Sequence, residues 1–247
     1  MKICCISDTH NKHRELKLPE ADLLIHAGDL SGLGKRYEVE DVLLWFKSIV
    51  HKFKHGIVFI AGNHDKSFDV NFGELEFFLD EEVEKSRMNK PFWLRQMLQE
   101  IEEDNLNIKY LENDWIIVDD VVIWGSPITP WFHGDRWAFN KHRGSDIKEV
   151  WSSIPEGTHI VVTHGPPLGK GDYIPRSKES VGCEDLLTEL ENRVKPLLHV
   201  YGHIHEGYGV YGDGNNLYAN ASACNEHYDI VNKPLLFEIE RTIKEIY

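Results

Sequence analysis

The sequence predicts an α/β fold in which two mixed β-sheets pack face to face with helices outside. Three observations predict it. Short apolar runs, each fitting a buried strand, alternate with turns and an amphipathic helix in the N-terminal part of the chain. A second series of strands follows a helical stretch. Hydrophobic residues make up 41% of the 247 residues, enough for a sizeable core.

Taken in order, residues 2–7 read as a first strand, with Asp8-Thr9-His10 at its end. Residues 22–27 form a second, ending in Gly28-Asp29. Val39, Val42, Leu43, Phe46, Ile49, Val50 and Phe53 recur at helical spacing, so residues 38–53 are predicted as a crossover helix with one apolar face. Residues 56–60 are the third strand, and Ala61-Gly62-Asn63-His64-Asp65 follows where Gly62 permits a sharp turn. Residues 69–105 are rich in Glu, Phe and Leu, and Pro91 divides them into two predicted helices. They read as an insertion packed on the sheet edge. Three strands come next, at residues 108–111, 115–119 and 121–124, the last two joined by a tight hairpin at Asp119-Asp120. An aromatic loop covers residues 124–144, and a short helix residues 146–151. A strand at 159–163 ends in His164-Gly165, a helix covers 183–194, and a strand at 198–201 ends in Gly202-His203-Ile204-His205. Strands at 217–221 and 235–239 close the set.

The formal net charge is −14, which argues against a broad nucleic-acid or anionic-membrane surface, since both need clustered Lys and Arg. Cys4, Cys5, Cys183 and Cys224 contain no Cys-x-x-Cys pair, so a zinc knuckle is not expected. Reduced thiols, no signal-peptide pattern and no bilayer-length apolar run give the expectation of a cytoplasmic protein with no membrane partner. Residues 1–247 are expected to form a single domain.

Chemistry gathers at the strand ends. Asp8, His10, Asp29, Asn63, His64, His164, His203 and His205 each follow an apolar strand. Carboxylate, imidazole and amide oxygen suit Mn²⁺, Fe or Zn²⁺, and the absence of Cys argues against a structural zinc site. Such a set is too large for one ion and fits two that share a carboxylate. His26, His133, His142, His199 and His227 read as structural or surface residues.

Asp8-x-His10, Gly28-Asp29, Gly62-Asn63-His64-Asp65, His164-Gly165 and Gly202-His203-x-His205 resemble, in order, the five blocks of the calcineurin-like metallophosphoesterase superfamily. His26-Ala27-Gly28-Asp29, Ile154-Pro155-Glu156-Gly157, Thr163-His164-Gly165-Pro166-Pro167, Val181-Gly182-Cys183 and Gly202-His203-Ile204-His205-Glu206-Gly207 bring the chain closer to the metallophosphoesterase-domain-containing branch. The resemblance covers most of the chain and is weakest over residues 69–105. It implies a four-layer αββα metallophosphoesterase sandwich.

It further implies two divalent ions, Mn²⁺ first and Fe, Zn²⁺ or Mg²⁺ as alternatives. Asp8, His10, Asp29 and His205 would hold one ion; Asp29, Asn63, His164 and His203 the other. His64 would be the catalytic acid, with Asp65 as its catalytic partner. The implied activity is hydrolysis of 2′,3′- or 3′,5′-cyclic nucleotides or similar small phosphodiesters by a metal-bridging hydroxide. The alternatives are a phosphomonoesterase or protein phosphatase on the same ions, or a weakly catalytic nucleotide-binding scaffold. The expected partner is a small nucleotide or phosphodiester, not extended nucleic acid. Asn63, His64, Trp131, Phe139, Asn140 and Arg143 are the expected substrate-binding residues, since aromatics can stack on a base and Asn can bond its edge. These aromatics fit equally well as core residues capping the second sheet.

Overall fold

The computed structural model describes residues 1–72, 90–104, 106–212, 216–239 and 243–245. In chain order its elements are β1 (Lys2–Ile6), β2 (Leu23–Ala27), α1 (Arg36–Ile49), β3 (Ile57–Ile60), α2 (Phe92–Glu103), β4 (Ile108–Tyr110), β5 (Asp114–Val118) and β6 (Val121–Ser126). There follow β7 (Thr129–Pro130), β8 (Asn140–Lys141), α3 (Ser145–Ser152), β9 (Ile160–Thr163), β10 (Tyr173–Ile174), β11 (Glu179–Ser180) and α4 (Glu184–Glu189). The series ends with β12 (Leu198–Tyr201), β13 (Gly209–Gly212), β14 (Leu217–Asn220), β15 (Leu235–Ile239) and β16 (Ile243–Glu245).

Among the described residues two six-stranded sheets form, in the orders β16-β15-β1-β2-β3-β4 and β13-β14-β12-β9-β6-β5. The inner strands of each are parallel, β1 to β4 in one and β6, β9, β12 and β14 in the other. Antiparallel neighbours flank them, which makes both sheets mixed as expected. Strand alternation builds the layers. Ile3, Cys5 and Ile25 face Ile160, Val162, Leu198 and Val200 in the core between the sheets. Cys4, Ile6 and Leu24 turn the other way, into a core shared with the helices. Phe46 of α1 lies 5.1 Å from Phe59 of β3, and Trp151 of α3 lies 6.3 Å from Trp124 of β6. The result is helix, sheet, sheet, helix.

The first helix begins two residues before its apolar repeat suggests. Glu38 is the cause: its carboxylate accepts from Lys35 N–H at 2.9 Å and Leu33 N–H at 3.0 Å, satisfying donors at the helix start. Pro91 stands just before α2, as its missing donor favours. The helix expected before Pro91 lies largely outside the described residues. The Asp119-Asp120 hairpin forms with φ of 49° and 65°, the left-handed pair that a tight two-residue turn requires. The helix expected over 183–194 ends as a π-turn from Leu190 to Val194. The strand pairs β7–β8 and β10–β11 were not visible in the sequence, because a two-residue ladder has no periodicity to read.

Candidate metal centre

Five parallel strands deliver the site from their carboxyl ends, where open α/β sheets place ligands. Sheet one brings Asp8 and His10 after β1, Asp29 after β2, and Asn63 and His64 after β3. Sheet two brings His164 after β9, and His203 and His205 after β12. The two sheets are joined here. Ser7 N–H donates to Ala221 O and Ala223 N–H to Ser7 O, both at 2.8 Å. Ser222 Oγ–H donates to Asp8 Oδ2 at 2.9 Å.

The donor atoms converge in overlapping groups: Asp8, His10 and His205; His10, Asp29 and His64; Asp29, His164 and His203. His205 Nε2 lies 3.3 Å from Asp8 Oδ1. Asp29 Oδ2 reaches both sides, 3.8 Å from His10 Nε2 and 3.2 Å from His164 Nε2. Asn63 Oδ1 is 3.0 Å from His164 Nε2. Asp29 thus belongs to two of the three donor groups and lies between them.

The tautomers fit metal binding. A carbonyl oxygen can only accept, so an imidazole nitrogen facing one must carry the proton. His10 Nδ1 faces Ser31 O at 3.2 Å, His164 Nδ1 faces Ala27 O at 2.9 Å, and His205 Nδ1 faces Asn225 O at 2.7 Å. Each ring is therefore oriented with Nε2 towards the cluster, its other nitrogen held by a backbone carbonyl as in histidines that bind metal. His203 is held by its backbone instead, its N–H donating to Asp8 Oδ2 at 3.0 Å. Asp8, His10, Asp29 and His203 all adopt positive φ, between 41° and 69°. Such backbone persists in non-glycine residues where the surroundings impose it. A Cβ on Gly202 would strike the Asp8 carboxylate, and one on Gly62 would strike that of Asp29.

Electrostatics supports the same use. Burial raises Asp8 and Asp29, but His205 beside Asp8 and His164 beside Asp29 outweigh it and hold both below the usual carboxylate range. Burial alone would lower His164 and His205; the two carboxylates push both up to about 9 instead. Burial lowers His10 to about 4 and His203 to about 3. Two imidazolium protons therefore balance two buried carboxylates, a charge that divalent cations replace by displacing protons. The donor set fits two such ions.

His64 borders this group. Its Nδ1–H donates to Gly32 O at 2.6 Å, and its Nε2 lies 4.0 Å from Asp29 Oδ2. Trp137 lies against its ring, tilted by 36°, with the centroids 4.3 Å apart. Asp65 corrects an expectation: His64 leans on Gly32, not on Asp65. Both Asp65 oxygens are committed to backbone and Ser31, accepting from Leu30 N–H at 3.0 Å, Ser31 N–H at 2.9 Å, Ser31 Oγ–H at 2.6 Å and Gly62 N–H at 2.9 Å. It braces two loops.

The expected substrate residues fare unevenly. A cleft of about 650 Å³ opens over Asp29, Asn63, His64, His203 and His205. Phe139 is not in it: the side chain is 4% exposed and belongs to the core. Asn140 is turned into its own loop, its amide donating to Phe132 O, Gly134 O and Trp137 O, each at 3.4 Å. Trp131 and Arg143 line a neighbouring cavity instead. The aromatic side chains that do line the cleft are Phe132, Trp137 and Tyr228, with Arg176 beside them. Tyr228 lies 4.7 Å from the His10 ring and 5.4 Å from that of His205. Nothing in the sequence pointed to Tyr228 or Arg176, because neither follows a core strand.

Among the described residues no helix is long and apolar enough to cross a membrane. The profile of the calcineurin-like phosphoesterase family matches residues 1–207. The human metallophosphoesterase domain-containing protein 1 is 40% identical over 242 residues, which are 96% of this chain and 71% of that protein. A UPF0046 protein of Caenorhabditis elegans is 35% identical over 248 residues, 97% of this chain and 60% of its own length. The crystal structure of a phosphopantetheinyl hydrolase from Mycobacterium tuberculosis superposes with a TM-score of 0.56 at 11% identity, covering 92% of this chain and 90% of that one. With its five strand-end blocks assembled in one place and the family profile matched across them, the chain belongs to the calcineurin-like phosphoesterase family.

Proposed function

We propose that the chain is a two-metal phosphodiesterase acting on small phosphodiesters, cyclic nucleotides among them. The observation that carries this reading is Asp29, whose carboxylate reaches both halves of a buried cluster of Asp, Asn and His donors. Asp8, His10, Asp29 and His205 would hold one ion, and Asp29, Asn63, His164 and His203 the other. Two divalent cations, when bound, supply positive charge for the phosphoryl oxygens and acidify water. Mn²⁺ is the first choice for this oxygen- and nitrogen-rich donor set.

The chain supplies the rest. Gly32 O accepts the Nδ1 proton of His64, so the acid form is the imidazolium, whose Nε2–H gives its proton to the leaving oxygen and leaves the neutral ring. The Asp29 carboxylate accepts His64 N–H at 2.8 Å and so fixes the acid relative to the shared ligand. Phe132 and Trp137 offer apolar walls for the organic part of the ester.

One observation favours a phosphomonoesterase as the second reading: Arg176 lines the metal cleft, and a guanidinium suits a phosphate dianion. A panel of bis-p-nitrophenyl phosphate, 2′,3′-cyclic AMP, 3′,5′-cyclic AMP and p-nitrophenyl phosphate with Mn²⁺ decides between them. Turnover of the diesters well above the monoester is expected; the reverse order overturns the proposal. Asp29→Asn is expected to lose turnover and bound metal while keeping its circular dichroism. Two tightly held ions per chain in that variant would show that Asp29 is not the shared ligand.

A further inference from the structure

Two cavities adjoin at the strand ends, and the metal cleft is one of them. The other, about 690 Å³, shares Phe132, His133, Ile174, Arg176, His203 and Ile204 with the metal cleft, so the two adjoin along these residues. Each has the size of a complete small-molecule site. The hairpin of β10 and β11 makes the side cavity, lining it with Ile174, Arg176, Ser177 and Glu179. Asp172 anchors that hairpin, accepting from Gly182 N–H at 3.0 Å through its carboxylate and from Val181 N–H at 3.0 Å through its carbonyl.

The lining has a distinct chemistry. Pro130, Trp131, Phe132, Pro166 and Val181 give it an apolar, partly aromatic surface. Two guanidinium groups border it. Arg143 is fixed, donating to Gly182 O at 2.8 Å and Val181 O at 2.6 Å. Both acceptors are neutral, and among the described residues neither Arg143 nor Arg176 forms an ion pair with a carboxylate. Glu179 is the one acidic residue in the lining. In a chain of net charge −14 this is a local excess of positive charge. Oriented, uncompensated guanidinium beside an aromatic wall matches a planar group that carries an anion.

We propose that this cavity is a second subsite of the active site and takes the part of a nucleotide-like diester that bears a further phosphate. The inference rests on the phosphodiesterase reading and narrows it. The planar group lies on Trp131 and Phe132, and the additional phosphate meets Arg143 and Arg176. Arg143 lines the side cavity alone, so the pair draws that phosphate away from the metal ligands.

Adenosine 2′,3′-cyclic phosphate and its 5′-phosphorylated counterpart test this, because they share base, scissile ester and leaving group. The parent chain is expected to favour the 5′-phosphorylated ester by about tenfold or more in kcat/KM. Arg176→Gln should shrink that ratio to about threefold or less, and Arg143→Lys, which keeps the charge but not the fork, should narrow it too. A ratio near one in the parent, or an unchanged ratio in Arg176→Gln, overturns the proposal. Calorimetry on the chelator-treated chain gives a readout without turnover. Adenosine 5′-phosphate should bind about tenfold more tightly than adenosine, with the gap closing in Arg176→Gln; equal binding of the two by the parent overturns the subsite. If the Mn²⁺-loaded parent hydrolyses neither cyclic ester nor bis-p-nitrophenyl phosphate, the phosphodiesterase reading fails, and the calorimetric comparison still decides the subsite.

Discussion

His64 carries the sharpest consequence at the scale of single residues. Its ring is pinned at Nδ1 by Gly32 O and covered by Trp137, so its free nitrogen has one direction to face. His64→Gln is therefore expected to keep both ions and lose the acid. A general acid contributes about 10² to 10⁴ in rate, and the loss depends on the leaving group. A ribose hydroxyl leaves poorly without a proton, whereas p-nitrophenolate leaves as an anion. The variant should be crippled on 2′,3′-cyclic AMP and much less affected on bis-p-nitrophenyl phosphate. Equal damage on both would make His64 a stabiliser of phosphoryl charge, and a lost metal would make it a ligand. The positions that converge on the site were legible in the sequence because each is a polar residue shortly after an apolar strand, and the carboxyl ends of parallel strands are where α/β sheets gather ligands. Asp65 and Phe139 were misjudged because their roles depend on what surrounds them. Four donors, three from the loop after β2 and one from its own loop, claim the one, and the helix-side core claims the other.

At the scale of elements, the loops after β2 and β3 act as one piece because Asp65 bonds to both. Burial, with Asp29 nearby, pushes its carboxyl up to about 6, so it is ionised at neutral pH and accepts four hydrogen bonds. Asp65→Ala leaves three buried backbone N–H groups without that acceptor. The expected cost is about 3 kcal/mol or more in urea unfolding, since each orphaned buried donor costs about 1–3 kcal/mol. Metal affinity should fall with it, because Leu30, which donates to Asp65, directly follows Asp29. A variant within about 1 kcal/mol of the parent would show that the loops hold without the brace. The core strands and α1 were legible from their apolar runs and helical spacing. The hairpin β10–β11 was not: its mostly exposed residues carry no hydrophobic period, yet it lines one wall of the cavity beside the metal cleft.

For the whole molecule, acid stability follows from a histidine far from any ligand role. Thr163 Oγ–H donates to Gly165 O at 2.7 Å, so His199 Nε2–H donates to Thr163 Oγ1 at 2.7 Å. His199 Nδ1 is then a buried lone pair with no partner among the described residues. Burial lowers this imidazole from 6.5 to about 3. A folded value below the unfolded one means that the unfolded chain takes up the proton first. The stabilisation is full above pH 6.5 and is lost as pH falls towards about 3. One such group contributes a slope of about 1.4 kcal/mol per pH unit across that window. Urea midpoints of the chelator-treated protein should fall between pH 6.5 and 4.5, and His199→Gln should flatten the decline. An unchanged slope would place the acid sensitivity elsewhere, His26 being the next buried imidazole, lowered to about 3 by the same cause.

The seam between the sheets also has a meaning in time. Asp8 meets His203 across 195 residues of chain, and β1 finds its partner β15 only near the other end of the sequence. Contacts of such separation close late, because the loop entropy must be met before they form. On the ribosome the first half of the donor set emerges long before the second. A nascent chain therefore carries Asp8, His10, Asp29 and Asn63 as an incomplete set, open to any divalent cation at hand. Under the two-metal proposal neither ion has its full donor set until β12 docks, so the set that would hold them is complete only once the two halves of the chain have met.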